Sequence, residues 1–282
     1  MATVTKTPFE LVGADAGPLR GDVRTQEHGR GRPAVIICHG FKGFKDWGHF
    51  PHLADRLARA GMTAVSFNFS GSGVGPDGES FSEPERFGHA TYSNDLADLE
   101  TVATALEAGT LLEGLAKPTA LGVFGHSRGG GLAVLFAAGN AKVKVLVTWA
   151  AIGKLIRWDD GMLDRLRQEG RADVVNMRTG EVLPLYTDVL EDFELHKDGK
   201  LDLDAAAERI RVPWLIVHGA QDEAVSLSDG ERLYTLAQGS ARLEIIPGGT
   251  HTLGARHPWA GFTPELERGM DLTTEWFTRH LT

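Results

Sequence analysis

The feature that most constrains the fold of this chain is an alternation of two patterns. Short apolar runs rich in β-formers, at residues 34–38, 63–69, 120–124, 143–149, 214–217 and 243–246, are separated by stretches of helical periodicity. Near-continuous apolar runs of this length suit parallel strands covered on both faces. Between them, Phe50, Leu53 and Leu57 share one helical face before Gly61, and Tyr92, Leu96, Leu99, Val102 and Leu106 recur at three- and four-residue steps. Leu266, Met270, Phe277 and Leu281 do the same after Pro264. Two weaker strand signals, 9–12 and 19–24, flank the turn-rich 13–18 and read as an opening hairpin. The pattern predicts an α/β fold with a mostly parallel central sheet and helices on both faces.

One stretch departs from the alternation. Residues 151–212 form an excursion of roughly 60 residues where a strand-to-strand connection usually needs far fewer. Ile152, Leu155, Ile156, Leu163 and Leu166 predict one amphipathic helix. Residues 174–177 and 182–185 predict a hairpin, and 187–195 and 204–210 two short helices. The segment reads as a cap inserted after a late sheet strand, within a single domain spanning 1–282.

The residues richest in chemistry are Gly125-His126-Ser127-Arg128-Gly129, a G-x-S-x-G match. The motif follows a predicted strand and precedes a segment able to start a helix, the context in which a tight turn thrusts a serine hydroxyl outward. A serine hydroxyl needs a base. Of 11 histidines, His251 falls after the last predicted strand, and Asp222 follows the 214–217 strand, giving the order Ser127, Asp222, His251. Glu223 is the alternative acid. An oxyanion would need preorganised N–H donors. The backbone of Arg128 is one candidate, and the loop His39-Gly40-Phe41-Lys42-Gly43 offers Phe41 as the other.

With these residues in view, the sequence resembles an α/β-hydrolase-fold serine hydrolase, similar to the esterase/lipase and dienelactone-hydrolase-like branch. His39-Gly40-Phe41, Asn68-Phe69-Ser70-Gly71-Ser72-Gly73, the Ser127 motif, Gly219-Ala220-Gln221-Asp222 and Gly249-Thr250-His251 carry the likeness. It implies Ser127 as nucleophile, His251 as base, Asp222 as orienting acid, Phe41 and Arg128 as oxyanion donors, and no cofactor. The expected activity is cleavage of a small to medium carboxylic ester through an acyl-enzyme. Peptide or amide hydrolysis, acyl transfer, and non-catalytic ligand binding on the same fold are the alternatives. Relatives often carry Arg or Asp near Ser70, a departure that touches the edges of the pocket and not the triad. Trp158 and Ile156 of the cap are expected to bind substrate, with Trp149 and Trp259 as further candidates for the pocket wall.

Other signals exclude functions. A formal net charge of −9 with no Lys/Arg run speaks against nucleic-acid binding. No apolar run reaches the ~20 residues of a membrane span, and residues 1–10 are polar, so a soluble, cytoplasmic protein without a membrane partner is expected. Cys38 is the sole cysteine, in an apolar strand, and reads as a buried structural thiol. His49 and His52 lack further ligands and read as solvent-facing, so no metal is expected. Gly73-Val74-Gly75-Pro76-Asp77-Gly78 formally matches a dinucleotide fingerprint, but Pro76 and the following Ser80-Phe81-Ser82-Glu83-Pro84 deny it the helix it needs. The expected partner is the small-molecule ester. A homodimer is compatible with the sequence, which does not fix the oligomeric state.

Overall fold

The computed structural model describes residues 3–281. An antiparallel hairpin opens the chain, β1 (Thr5–Val12) paired with β2 (Pro18–Thr25) along its whole length. Then follow β3 (Ala34–Cys38), α1 (Phe50–Arg59), β4 (Thr63–Phe67), a short α2 (Pro84–Gly88) and α3 (Tyr92–Ala108). Next come β5 (Leu121–His126), α4 (Arg128–Gly139) and β6 (Val143–Trp149). The inserted segment holds α5 (Asp160–Glu169), the hairpin β7 (Arg171–Val175) and β8 (Val182–Tyr186), α6 (Asp188–His196) and α7 (Leu203–Arg209). The chain then returns through β9 (Trp214–Gly219), α8 (Leu227–Leu236), β10 (Ala241–Ile246) and α9 (Pro264–His280).

Eight strands form one sheet in the order β1-β2-β4-β3-β5-β6-β9-β10. β1 and β2 run antiparallel, and every pairing from β4 to β10 is parallel. The period-two alternation of strand side chains divides the core into two layers. Ile36, Val65, Val123, Leu146 and Ile216 face α3, α4, α7 and α8, whereas Val35, Ile37, Phe124, Val147 and Val217 face α1 and α9. The mostly parallel sheet with helices on both faces is therefore as the alternation predicts.

Two predicted elements change at their ends for local reasons. The 63–69 strand stops at Phe67, because Ser70–Ser72 wind into a 3₁₀ turn. The single amphipathic helix expected from Ile152 to Leu166 begins only at Asp160. There the Asp159 side chain caps it by accepting the Met162 N–H at 2.8 Å, while upstream the Ile152 N–H is held by the Ser127 carbonyl. The hairpin of the inserted segment and the two helices after it lie close to where the sequence places them. Apolar residues of the segment, among them Leu155, Met162, Leu166, Leu185 and Val189, pack in the same layer as Leu132 and Val134 of α4. Among the described residues no helix is long and apolar enough to cross a membrane.

Candidate active site

Ser127 sits on the turn between β5 and α4 with φ 57° and ψ −120°, a conformation costly for a non-glycine residue. The surrounding packing enforces it. A Cβ at Gly125 would lie 2.2 Å from the Gly129 carbonyl oxygen, and one at Gly129 would lie 2.4 Å from that of His39. The Ser127 N–H donates to the Trp149 carbonyl at 2.9 Å, fixing the turn to the end of β6. Arg128 opens α4, so its backbone N–H and the helix N-terminus lie directly beside the serine.

His251 and Asp222 come from the loops after β10 and β9. The Gln221 N–H donates to the Gly249 carbonyl at 2.8 Å, tying the two loops together. His251 Nδ1 lies 2.9 and 3.1 Å from the carboxylate oxygens of Asp222. That carboxylate, with its side chain fully buried, also accepts the N–H groups of Ala224 at 2.9 Å and Val225 at 2.8 Å, and His218 Nε2 lies 3.4 Å away. Burial works against ionisation of Asp222, but the bonds from His218, His251 and Val225 outweigh it and hold the carboxyl well below its ordinary range. The alternative acid, Glu223, is exposed.

The Phe41 loop follows β3. Its turn is closed by the Gly43 N–H donating to the Gly40 carbonyl at 3.0 Å. His39 is buried, with Nδ1 2.9 Å from the Gly40 carbonyl and Nε2 accepting from the Phe69 N–H at 3.5 Å, which defines the Nδ1–H tautomer. Burial brings its pKa down to about 4, so the ring is neutral.

Two cavities adjoin Ser127 and His251, and Phe41 and Lys42 border both. The first is lined by Ile152, Leu155 and Trp158 of the inserted segment, with Tyr92 of α3 and Val225. The second runs between the Phe41 loop and the β7–β8 turn, reaching His126, Asn176 and Arg178. Trp158 thus lies at the serine. Ile156 does not: it lines a separate cavity with Phe193, Leu203 and Arg232, in a stretch upstream of α5 that is not helical. Trp149 is a core residue whose indole N–H donates to Thr273 at 2.8 Å, and Trp259 stacks on His52.

His49 also departs from expectation. It is fully buried, stacked on Trp149, with neither ring nitrogen partnered among the described residues. Burial brings its pKa down to about 3. Among the described residues no group of three or more His, Cys, Asp and Glu is placed to hold a metal.

Several functional neighbours were not singled out by the sequence. His126 Nε2 lies 2.9 Å from the His251 carbonyl and, donating there, braces the histidine loop from beneath. The Arg128 side chain is buried, paired with Asp95 at 2.7 Å, and lies over the Tyr92 ring at 4.0 Å. One signal for Asp95 was available: it shares the apolar face of α3 with Tyr92, Leu99 and Val102, and an acid there needs a cation.

The strand order and the strand–turn–helix at Ser127 have counterparts among solved structures. Est1E from Butyrivibrio proteoclasticus with ferulic acid bound superposes with a TM-score of 0.71 at 20% identity, covering 95% of this chain and 97% of that one. Dienelactone hydrolase from Anabaena variabilis gives a TM-score of 0.65 at 18% identity, covering 99% of each chain. The chain has the α/β-hydrolase fold. In sequence, residues 29–166 of this α/β-hydrolase fold match the family model of the serine aminopeptidases, S33, a match of just under half the chain. It is 26% identical over 215 residues to 2,6-dihydropseudooxynicotine hydrolase of Paenarthrobacter nicotinovorans, covering 76% of this chain. The aligned region spans only 50% of that relative's length. In this α/β-hydrolase fold the 151–212 segment leaves from the carboxyl end of β6, the side on which open α/β sheets bind ligands.

Proposed function

We propose that the chain is a serine hydrolase acting on a carboxylic ester of small to medium size. The observation that carries the reading is the meeting of Ser127, held at positive φ, with the Asp222–His251 pair at the wall of shared cavities. In this reading Asp222 holds His251 with Nδ1 protonated, leaving Nε2 free to take the Ser127 proton as Oγ attacks the carbonyl carbon. The tetrahedral oxyanion is received by the backbone N–H groups of Phe41 and Arg128. His251 then returns the proton to the leaving oxygen, and water repeats the sequence on the acyl-enzyme. Residues 151–212 act as a cap that shapes the first cavity, and Trp158 as part of an apolar acyl site.

The match to a serine aminopeptidase model favours a second reading, peptide hydrolysis with the same residues. An aminopeptidase needs a carboxylate to hold the substrate ammonium. The two cavities bordering Ser127 are lined by Lys42, Arg128, Arg157 and Arg178 and, among the described residues, by no Asp or Glu, which supports the ester. Turnover of matched esters, lactones and aminoacyl anilides, with active-site titration by a fluorophosphonate, tests the choice. Ester cleavage without anilide cleavage is expected; preferential anilide cleavage overturns it.

A further inference from the structure

The second cavity at Ser127 is lined by a buried side-chain amide that the first lacks. Its far wall is the β7–β8 turn, where Asn176 is buried, 4% exposed. The Asn176 Oδ1 accepts the Arg178 N–H at 3.2 Å, and its backbone carbonyl accepts the N–H of Gly180 at 2.8 Å. The turn therefore fixes which end of the amide is oxygen and leaves Nδ2 as a donor. That Nδ2 has no partner among the described residues. Buried donors left unpaired in a folded protein are uncommon, and one on a residue that lines a cavity shared with Ser127 is a place for a ligand acceptor.

The charges around it have one sign. Lys42 and Arg178 border the same cavity, and no Asp or Glu lines it. Lys42 Nζ donates to the Val175 carbonyl at 2.8 Å, anchoring the Phe41 loop to β7, and Arg178 lies over the Phe44 ring. Neither cation has an acidic partner among the described residues. A ligand group here meets donors and positive charge. The first cavity shares Lys42, but its Arg128 and Arg157 are already paired, with Asp95 at 2.7 Å and Asp229 at 3.0 Å, beside a wall of Ile152, Leu155, Trp158 and Val225.

The polar groups of the two walls assign the two arms of an ester. The leaving oxygen must lie next to His251 to receive its proton. Both cavities reach His251, but only the second adds Thr252, His126 and the unpartnered Asn176 amide, whereas the Ile152, Leu155, Trp158 and Val225 wall of the first suits an acyl chain. We infer that the cavity between the Phe41 loop and the β7–β8 turn is a leaving-group subsite for a carboxylate, with Asn176 as its specificity-determining donor. The inference rests on the hydrolase reading for the direction of the substrate, but the binding it describes does not require turnover.

The test compares 4-acetoxybenzoate with its methyl ester, which share the acetyl group and differ in the charge on the leaving phenol. The wild-type protein should favour the carboxylate in kcat/KM. Asn176→Asp keeps Oδ1 for the turn and replaces the donor with an anionic oxygen. It should lower the ratio of the two kcat/KM values about tenfold or more, as expected for losing a hydrogen bond to a charged group. Asn176→Ser supplies the same reading if the aspartate disturbs the hairpin. In parallel, calorimetric titration of 4-hydroxybenzoate into Ser127→Ala should show binding that weakens about tenfold when Asn176→Asp is added. An unchanged ratio in both Asn176 variants, or failure of 4-hydroxybenzoate to bind, overturns the subsite. If esters are cleaved without preference for the carboxylate, the subsite falls and the hydrolase reading stands. If no ester is cleaved but 4-hydroxybenzoate binds in an Asn176-dependent way, the reverse holds.

Discussion

The Arg128 guanidinium meets the Asp95 carboxylate at 2.7 Å in the interior, directly behind the turn that carries Ser127. Burial pushes the Asp95 carboxyl up to about 6 against the opposing pull of Arg128. The pair joins α3 to the first residue of α4, whose backbone N–H is the proposed oxyanion donor. Removing one partner of a buried pair leaves an uncompensated charge, so Asp95→Ala should cost about 3–5 kcal/mol in denaturant unfolding. A loss below about 1 kcal/mol would mean that the pair is not intact in solution.

The acid that orients His251 is open to a direct contrast. Asp222→Asn removes the charge from a carboxylate that touches His251, and Glu223→Gln changes an exposed neighbour. By analogy with serine-protease triads the first should lower kcat by ~10⁴, and the second should leave it within about twofold. The opposite ranking would move the acid one residue along.

Much of this was legible before the structure. The apolar alternation gave the sheet, and the glycines around Ser127 marked the turn, because both signals are local. Asp222 over Glu223 was not decided by local sequence. It depends on the loop tie between Gln221 and Gly249, which turns one carboxylate inward. Ile156 departs from expectation for a related reason: helical periodicity does not hold over residues 152–158, because the helix starts only after the Asp159 cap. His49 beside its short-range partner His52 looked like a surface pair, and only the packing of Trp149 from a strand far along the chain buries it.

Stability should fall with acid from near-neutral pH. His39 and His49 are held neutral by burial, at about 4 and about 3, and His126 is lowered as well. Unfolded, each would bind a proton near its ordinary value of 6.5, so between about 4 and 6.5 the unfolded chain holds more protons. Their contribution is complete above 6.5 and declines as pH falls through that window. His49→Phe, which keeps the stacking on Trp149 and removes two unpartnered nitrogens, should raise Tm more at pH 5 than at pH 8. A Tm gain equal at both values would contradict the assignment.

The cap makes a selective prediction. Trp158 borders the serine cavity and Ile156 does not. At ~0.8 kcal/mol per buried CH₂, Trp158→Ala should penalise butyryl over acetyl esters severalfold in kcat/KM. Ile156→Ala should leave the acyl-length profile unchanged. Equal effects of the two substitutions would sink the placement of the acyl chain.

The central claim is that Ser127 is the nucleophile, and steady-state hydrolysis by Ser127→Ala tests it most directly. The substitution replaces a hydroxyl at the turn with a methyl group and leaves the backbone bonds of residue 127 to Trp149 and Ile152 in place. With an unchanged Tm, kcat on a short-chain ester should fall by roughly four orders of magnitude or more. Retention of more than about a tenth of the wild-type rate in a normally folded variant would contradict the account.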